Sequence, residues 1–211
     1  MPNNPYDTML FDKAASFAIQ AHSGTERRDK GIPYALHTME AAVVVASITR
    51  DPELLAAALL HDTVEDTEIT VEDIRDAFGD RVAKIVEAES DVVYRNNGEK
   101  IPWLERKIAG IDRLKRSDRD VKIVSLGDKL SNMRAIAQDY DKIGDALWQR
   151  FHAPNPRDIG WRYRALKEAL SELSDTAAYR EFAFLVDYVF DRAFPEPGKE
   201  FKPNFISSVG R

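Results

Sequence analysis

The sequence contains no cysteine. That absence excludes disulfides, zinc–thiolate sites, iron–sulfur clusters and a cysteine nucleophile. No apolar run approaches the ~20 residues that a membrane-spanning helix needs, and the first residues, MPNNP, carry no signal-peptide pattern. We therefore expect a cytoplasmic protein that does not attach to membranes.

Positive charge is not in excess either. The chain has 30 Lys and Arg against 36 Asp and Glu, which gives a net charge of −6 and a pI of about 5.3. This balance argues against a dedicated nucleic-acid-binding protein. It still allows a phosphorylated small molecule, which needs only a local positive patch. The 4 histidines of the chain are each candidates for a specific role.

Most of the chain shows the apolar spacing of three and four residues that is typical of amphipathic helices. The segment with strand-like alternation, residues 121–126, has no strand to pair with and runs unbroken into a helical pattern, so we interpret it as helix. A loop is predicted at residues 139–141. These patterns predict one all-α domain of about nine to eleven helices over residues 1–195, with an extended tail over residues 196–211.

The densest group of chemically active side chains follows an apolar run at residues 54–60. It comprises His61, Asp62, Glu65 and Asp66. In helical geometry, residues four apart share a face, so His61 would lie beside Glu65 and Asp62 beside Asp66. Acids at the end of an apolar helix are costly unless a cation sits there, and a divalent metal ion is the simplest candidate. Solvated surface acids are the alternative that this stretch alone leaves open.

Two other residues could complete such a metal site. His37 falls in the first turn of a predicted helix, and Asp128 lies within an apolar helix, where a bare carboxylate is expensive. Two His and two Asp offer a mixed nitrogen and oxygen donor set suited to a first-row divalent ion. Positions would remain for water and a phosphate oxygen. Spacing alone does not prove that the four side chains meet.

A predicted loop at residues 24–34 carries three cations, Arg27, Arg28 and Lys30, between two glycines and a proline. Arginine binds phosphate through two parallel hydrogen bonds and stacks on bases. The loop fits a phosphate or base clamp and a solvated surface loop equally well.

The pattern of His37, His61-Asp62 and Asp128 resembles the HD-domain metal phosphohydrolases. Three longer strings are more specific: GIPYALH at 31–37, LLHDTVEDT at 59–67 and DKLSNMR at 128–134. They resemble the hydrolase domain of RelA/SpoT homologues, and the resemblance extends over residues 8–175. Without a synthetase or regulatory region, the sequence is most similar to the stand-alone small alarmone hydrolases.

The resemblance implies a metal-dependent hydrolase that removes the 3′-pyrophosphate from (p)ppGpp, giving GDP or GTP and pyrophosphate. It implies one metal ion, usually manganese, whose ligands would be His37, His61, Asp62 and Asp128. Glu65 and Asp66 match the acidic pair that orients and activates the attacking water. The residues expected to bind the purine nucleotide and offset its charge are Arg27, Arg28, Lys30, Lys129, Asn132 and Arg134, with Arg28 packed on the base.

Three positions depart from the family pattern. Asp29 stands where Lys is usual, Ala135 where Thr is common and Thr38 where Pro is common. They leave the metal chemistry intact and leave the choice of nucleotide open. The same site could act on an adenosine analogue of the alarmone, on the 2′-phosphate of NADPH or on a pyrophosphorylated tRNA end.

A nucleotide-binding module without turnover is an alternative from another class, and the pair of acids argues against it. The sequence does not fix the oligomeric state, and it allows a homo-oligomer. It also leaves the roles of Arg106, Lys107 and Trp161 open.

Overall fold

The computed structural model describes residues 8–27, 30–95, 97–151, 153 and 155–194. Within these ranges the chain forms ten α-helices and two 3₁₀ segments, and no strand beyond two isolated bridges. The all-α prediction is therefore confirmed. The helices are α1 Thr8–Ala21, α2 Ala35–Ala46, α3 Pro52–Leu60, α4 Thr63–Asp66, α5 Val71–Phe78, α6 Asp80–Glu89, α7 Trp103–Arg116, α8 Arg119–Ile143, α9 Pro156–Ala169 and α10 Ala177–Ala193, with 3₁₀ segments at Gly144–Arg150 and Ser171–Leu173.

The helix starts follow local capping signals. The Asp51 carboxylate accepts a hydrogen bond from the Glu53 N–H at 3.0 Å, and Pro52 occupies the first helical position of α3. Thr70 and Asp73 form a reciprocal capping box at the start of α5. These side chains satisfy N–H groups that the first turn of a helix leaves without partners.

The longest helix, α8, includes residues 121–126, so their interpretation as helix is confirmed. The loop predicted at 139–141 is wrong, because α8 continues through it to Ile143. Ion pairs hold these acids within the helix: Asp139 contacts Lys30 at 2.8 Å, and Asp141 contacts Arg192 at 3.0 Å. Gly144, with φ of 55°, then ends the helix.

A close contact between α2 and α8 sets the position of the predicted metal ligands. A Cβ on Gly127 would lie 2.8 Å from the carbonyl oxygen of Ala41 and 2.9 Å from Val45 Cγ2, so glycine is needed at this contact. Asp128 follows Gly127 in α8, and His37 lies one turn before Ala41 in α2. The two helices therefore bring Asp128 and His37 together.

Helix α3 delivers the remaining ligands to the same place. Residues 56–60 are fully buried, and their alanines allow close packing against the neighbouring helices. The helix ends at Leu60, and α4 begins at Thr63, so His61 and Asp62 lie at the break between them. This break lets His61 point into the interior while Glu65 and Asp66 face outward.

The predicted tail over residues 196–211 lies outside the described residues, and the domain boundary at residue 195 stays a prediction. None of the helices in the described ranges combines the length and the apolar character needed to cross a membrane.

Candidate metal centre and active site

Four predicted ligand side chains converge between α2, α3 and α8. The ligand atoms of His37, His61 and Asp128 all lie within 4.8 Å of one another. Asp62 Oδ2 lies 2.9 Å from His61 Nε2 and 3.4 Å from His37 Nε2. The structure thus brings together all four residues that the sequence suggested, although they come from three separate parts of the chain.

The hydrogen bonding of His61 defines which nitrogen is available to a metal. Its Nδ1 lies 2.8 Å from the carbonyl oxygen of Ala58, which can only accept, so Nδ1 carries the proton. Nε2 is buried and lies 2.9 Å from the Asp62 carboxylate, which only accepts. Burial would lower the pKa of His61, but Asp62 raises it well above its usual value. This close contact needs a cation, which is either a proton on His61 or a metal ion that replaces that proton.

His37 is oriented in the same way by a side-chain network. Its Nδ1 lies 2.8 Å from Ser131 Oγ, and the Ser131 hydroxyl donates its own proton to Glu40 at 2.7 Å. Ser131 must therefore accept from His37 Nδ1–H, which leaves the Nε2 lone pair facing the ligand cluster. Arg134 holds Glu40 at 3.1 Å and binds both carboxylate oxygens of Glu181 at 2.6 and 2.7 Å.

This network gives Arg134 a position that the sequence did not predict. Its guanidinium lies behind His37, paired with two carboxylates, and does not line the cleft described below. The acids that face it come from α2 and α10, and its predicted contact with the substrate stays a prediction.

The two aspartates are ionised, as metal ligands must be. Burial alone would raise the pKa of Asp62, but His61 and His37 hold it well below its usual range. Burial would likewise raise the pKa of Asp128, and Lys129 together with the two histidines lowers it. Tyr34 adds a hydrogen bond from its hydroxyl to Asp62 Oδ2 at 2.6 Å. Burial and Asp62 raise the pKa of Tyr34, so it stays a donor.

An open cleft of about 540 Å³ lies outside the cluster. Of the predicted site residues, those that line it are Arg27, Lys30, Asp62, Glu65, Asp66 and Asn132. Its apolar wall contains Leu147, Phe151 and Tyr163. Arg28 lies outside the described residues, so its predicted contact with a base stays a prediction.

Two of the substrate-binding candidates touch a metal ligand. Asn132 donates to Asp128 through Nδ2 and accepts from Arg27 Nη2 at 2.9 Å. Lys129 pairs with Asp128 and lies 3.4 Å from Glu89. Lys30 reaches the cleft but pairs with Asp139. Asn132 and Lys129 therefore lie next to the cluster, and the charges of Lys129 and Lys30 are compensated within the protein.

A smaller chamber of about 160 Å³ adjoins the cleft at the ligand cluster. It contains residues that sequence reasoning missed, among them Glu89, Asp91 and Arg162. The N–H of Asp91 donates to Glu65 Oε2 at 3.2 Å, and the Asp91 carboxylate pairs with Lys107. No spacing signal links Asp91 to Glu65, because they are 26 residues apart and meet only in the fold.

Comparison with known proteins places the sequence in a family. The family model of the HD domain matches residues 14–153 of the chain. The chain belongs to the HD-domain family. The human guanosine-3′,5′-bis(diphosphate) 3′-pyrophosphohydrolase MESH1 is 39% identical over 128 residues, which are 59% of this chain and 68% of that protein. An enzyme of the same name from Aquifex aeolicus is 35% identical over 135 residues, which are 63% of this chain and 18% of that protein.

Solved structures agree with the HD-domain fold. A metazoan orthologue of SpoT, described as hydrolysing ppGpp, superposes with a TM-score of 0.68 at 23% identity, covering 90% of this chain and 99% of that one. A protein from Listeria monocytogenes superposes with a TM-score of 0.63 at 28% identity, covering 76% of this chain and 98% of that one. The predicted HD-domain helical bundle and the resemblance to RelA/SpoT hydrolase domains are therefore confirmed.

Proposed function

We propose that this HD-domain protein hydrolyses (p)ppGpp to GDP or GTP and pyrophosphate, with a divalent metal ion. The observation that carries the proposal is that two acids without a cationic partner among the described ion pairs, Glu65 and Asp66, line the same cleft as the ligand Asp62. The names of the human and Aquifex relatives support this substrate.

The metal would be held by His37, His61, Asp62 and Asp128, whose mixed donors suit manganese. When bound, the ion would polarise the phosphate next to the ribose and lower the pKa of a bound water toward ~7. Manganese and a cytoplasmic location are parts of this proposal.

Glu65 is the proposed general base. Its carboxylate opens onto both the cleft and the chamber, and the Asp91 N–H orients it. Glu65 takes a proton from water as the water oxygen bonds to the phosphorus. The bond between that phosphorus and the ribose O3′ breaks, O3′ receives a proton, and pyrophosphate leaves with the water oxygen. Asp66, beside Tyr34, would hold the water or Glu65 in place.

The cleft residues have separate proposed roles in substrate binding. Arg27 and Lys30 offset the negative charge of the 5′-phosphates, and Asn132 and Lys129 act next to the metal. The apolar wall at Leu147 and Phe151 supports the nucleoside. Arg28 is proposed to pack on the base, as the family resemblance implies.

The choice of nucleotide is the open part of the proposal. Ala135 lines the cleft, so the missing Thr at this position removes a hydroxyl from the nucleotide site. An adenine alarmone, NADPH or a pyrophosphorylated tRNA end would be the alternative substrates of the same site. Turnover of these compounds compared with ppGpp under one set of conditions distinguishes them.

A variant of Glu65 separates an enzyme from a binding module. We expect Glu65→Gln to lower turnover by at least ~100-fold while nucleotide affinity changes little. Glu68→Gln is the matched control, because Glu68 is an exposed acid of the same segment outside the cleft lining. Equal turnover by wild type and Glu65→Gln would contradict the assignment of Glu65.

A further inference from the structure

Three cations from three successive helices face the small chamber: Lys107 from α7, Lys129 from α8 and Arg162 from α9. Two of them are neutralised within the protein. Lys107 pairs with Asp91, and Lys129 pairs with Asp128 and Glu89. In contrast, no ion pair of Arg162 is found among the residues that the structure describes. The half-buried guanidinium of Arg162 is thus available to an anion from outside.

Arg162 is subject to opposing charges. Burial would raise the pKa of Asp91, but Lys107, followed by Arg162, lowers it, while Arg162 repels the two lysines. Burial, followed by the charge of Arg162, lowers the pKa of Lys107. The charge of Arg162 also opposes that of Lys129. A bound anion would relieve this repulsion, and the forked donors of arginine suit a phosphate group.

The position of the chamber indicates which phosphate it would receive. Asp62, Glu65 and Asn132 line both the outer cleft and the chamber. The other three ligands, His37, His61 and Asp128, line the chamber, so the ligand cluster borders the cleft through Asp62. Arg162 lines the chamber and not the cleft. If the nucleoside occupies the cleft and the phosphate next to the ribose lies at the metal ligands, the next phosphate along extends into the chamber.

We propose that Arg162 binds the terminal phosphate of the substrate's 3′-pyrophosphate and thereby selects a 3′-diphosphate over a 3′-monophosphate. This inference rests on the proposed function and adds a specificity-determining residue to it. Lys107 and Lys129 line the same chamber but are paired with Asp91 and Asp128, whereas Arg162 has no carboxylate within ion-pair distance in the described part of the chain.

The test compares two substrates that share the bond to be cleaved: guanosine 5′-diphosphate 3′-diphosphate and guanosine 5′-diphosphate 3′-monophosphate. Arg162→Gln should lower kcat/KM for the 3′-diphosphate by about 10- to 100-fold, the loss expected for a hydrogen-bonded charge contact. The value for the 3′-monophosphate should stay within about 3-fold. Arg162→Lys keeps the positive charge but lacks the paired N–H donors of the guanidinium, so its kcat/KM for the 3′-diphosphate should lie between those of wild type and Arg162→Gln.

Arg164→Gln is the matched control, since Arg164 belongs to the same helix but pairs with Asp191 away from the chamber. It should not change the preference between the two substrates. The melting temperature of Arg162→Gln should stay close to that of wild type, because the substitution removes repulsion from Lys107 and Lys129 together with attraction to Asp91. An equal loss on both substrates, or no loss on the 3′-diphosphate, would overturn the proposal for Arg162.

A binding measurement keeps this inference separate from the proposed reaction. Calorimetry titrates inorganic pyrophosphate and inorganic phosphate into manganese-loaded wild type and Arg162→Gln. We expect wild type to prefer pyrophosphate and the variant to lose that preference by at least ~10-fold. If wild type cleaves neither nucleotide, the proposed function fails, and this titration alone decides the role of Arg162. Equal pyrophosphate affinity in the two proteins would refute that role.

Discussion

Replacing Ser131 by alanine tests whether the network behind His37 prepares it to bind metal. Ser131 Oγ accepts the Nδ1 proton of His37 at 2.8 Å and donates to Glu40 at 2.7 Å. Both His37 and Ser131 are almost completely buried, at 3% and 1% exposure, so water would not readily replace the lost hydroxyl. Ser131→Ala would leave the Nδ1–H of His37 and one carboxylate oxygen of Glu40 without this partner.

The expected magnitude follows from these contacts. A buried donor left without a partner costs about 1–3 kcal/mol, and ~1.4 kcal/mol corresponds to a tenfold change in an equilibrium constant. Part of this cost appears as lost folding stability. The rest weakens metal binding, because His37 can now turn or adopt the other tautomer, and comparable changes around metal ligands lower affinity by about 10- to 100-fold.

The assay is a calorimetric titration of metal-free protein with manganese, at a temperature where circular dichroism shows both variants folded. Ser125→Ala is the matched control, because Ser125 is an equally buried serine of α8, and the hydroxyl that holds His37 Nδ1 belongs to Ser131. We expect Ser131→Ala to bind manganese about 10- to 100-fold more weakly than Ser125→Ala. Equal affinities for manganese in the two variants would refute this account of His37.

Two further predictions concern the packing of α8 and the proton accepted by Glu65. Gly127→Ala should not show the stabilisation of about 1 kcal/mol that alanine gives in an exposed helix. The new methyl group meets the carbonyl of Ala41, so we expect a net loss of up to about 2 kcal/mol, measured by urea denaturation. Burial and Asp91 raise the pKa of Glu65, and a base works only when ionised. In a pH–rate profile, the loss of activity toward acidic pH should therefore occur at a higher pH than the pKa of an ordinary glutamate. A loss of activity at the pKa of an ordinary glutamate would contradict the role of Glu65 as the base.

The sequence was sufficient for the helical architecture and for the ligand cluster. Capping residues such as Asp51 and Thr70 act within a few residues of where they stand, so local patterns reveal them. Asp128 could be singled out because a carboxylate in an apolar helix needs a compensating charge. The break between α3 and α4 places His61 and Asp62 at the ligand cluster. The position of this break could be predicted because the apolar run ends at Leu60.

The failures share one physical cause, which is that ion pairs between distant helices leave no local signal. The acids at residues 139–141 suggested a loop, but Lys30 and Arg192 hold them in α8. The two acids that face Arg134, Glu40 and Glu181, likewise belong to other helices. Asp91 and Arg162 were missed for the same reason, since only the fold brings them to the chamber.

The most direct test of the central claim is release of pyrophosphate from ppGpp by the purified protein with manganese, with a chelator control alongside. The account predicts equal amounts of GDP and pyrophosphate and no release once the chelator has removed the metal. Absence of release from folded, manganese-loaded protein, or release that continues in the presence of chelator, would contradict it.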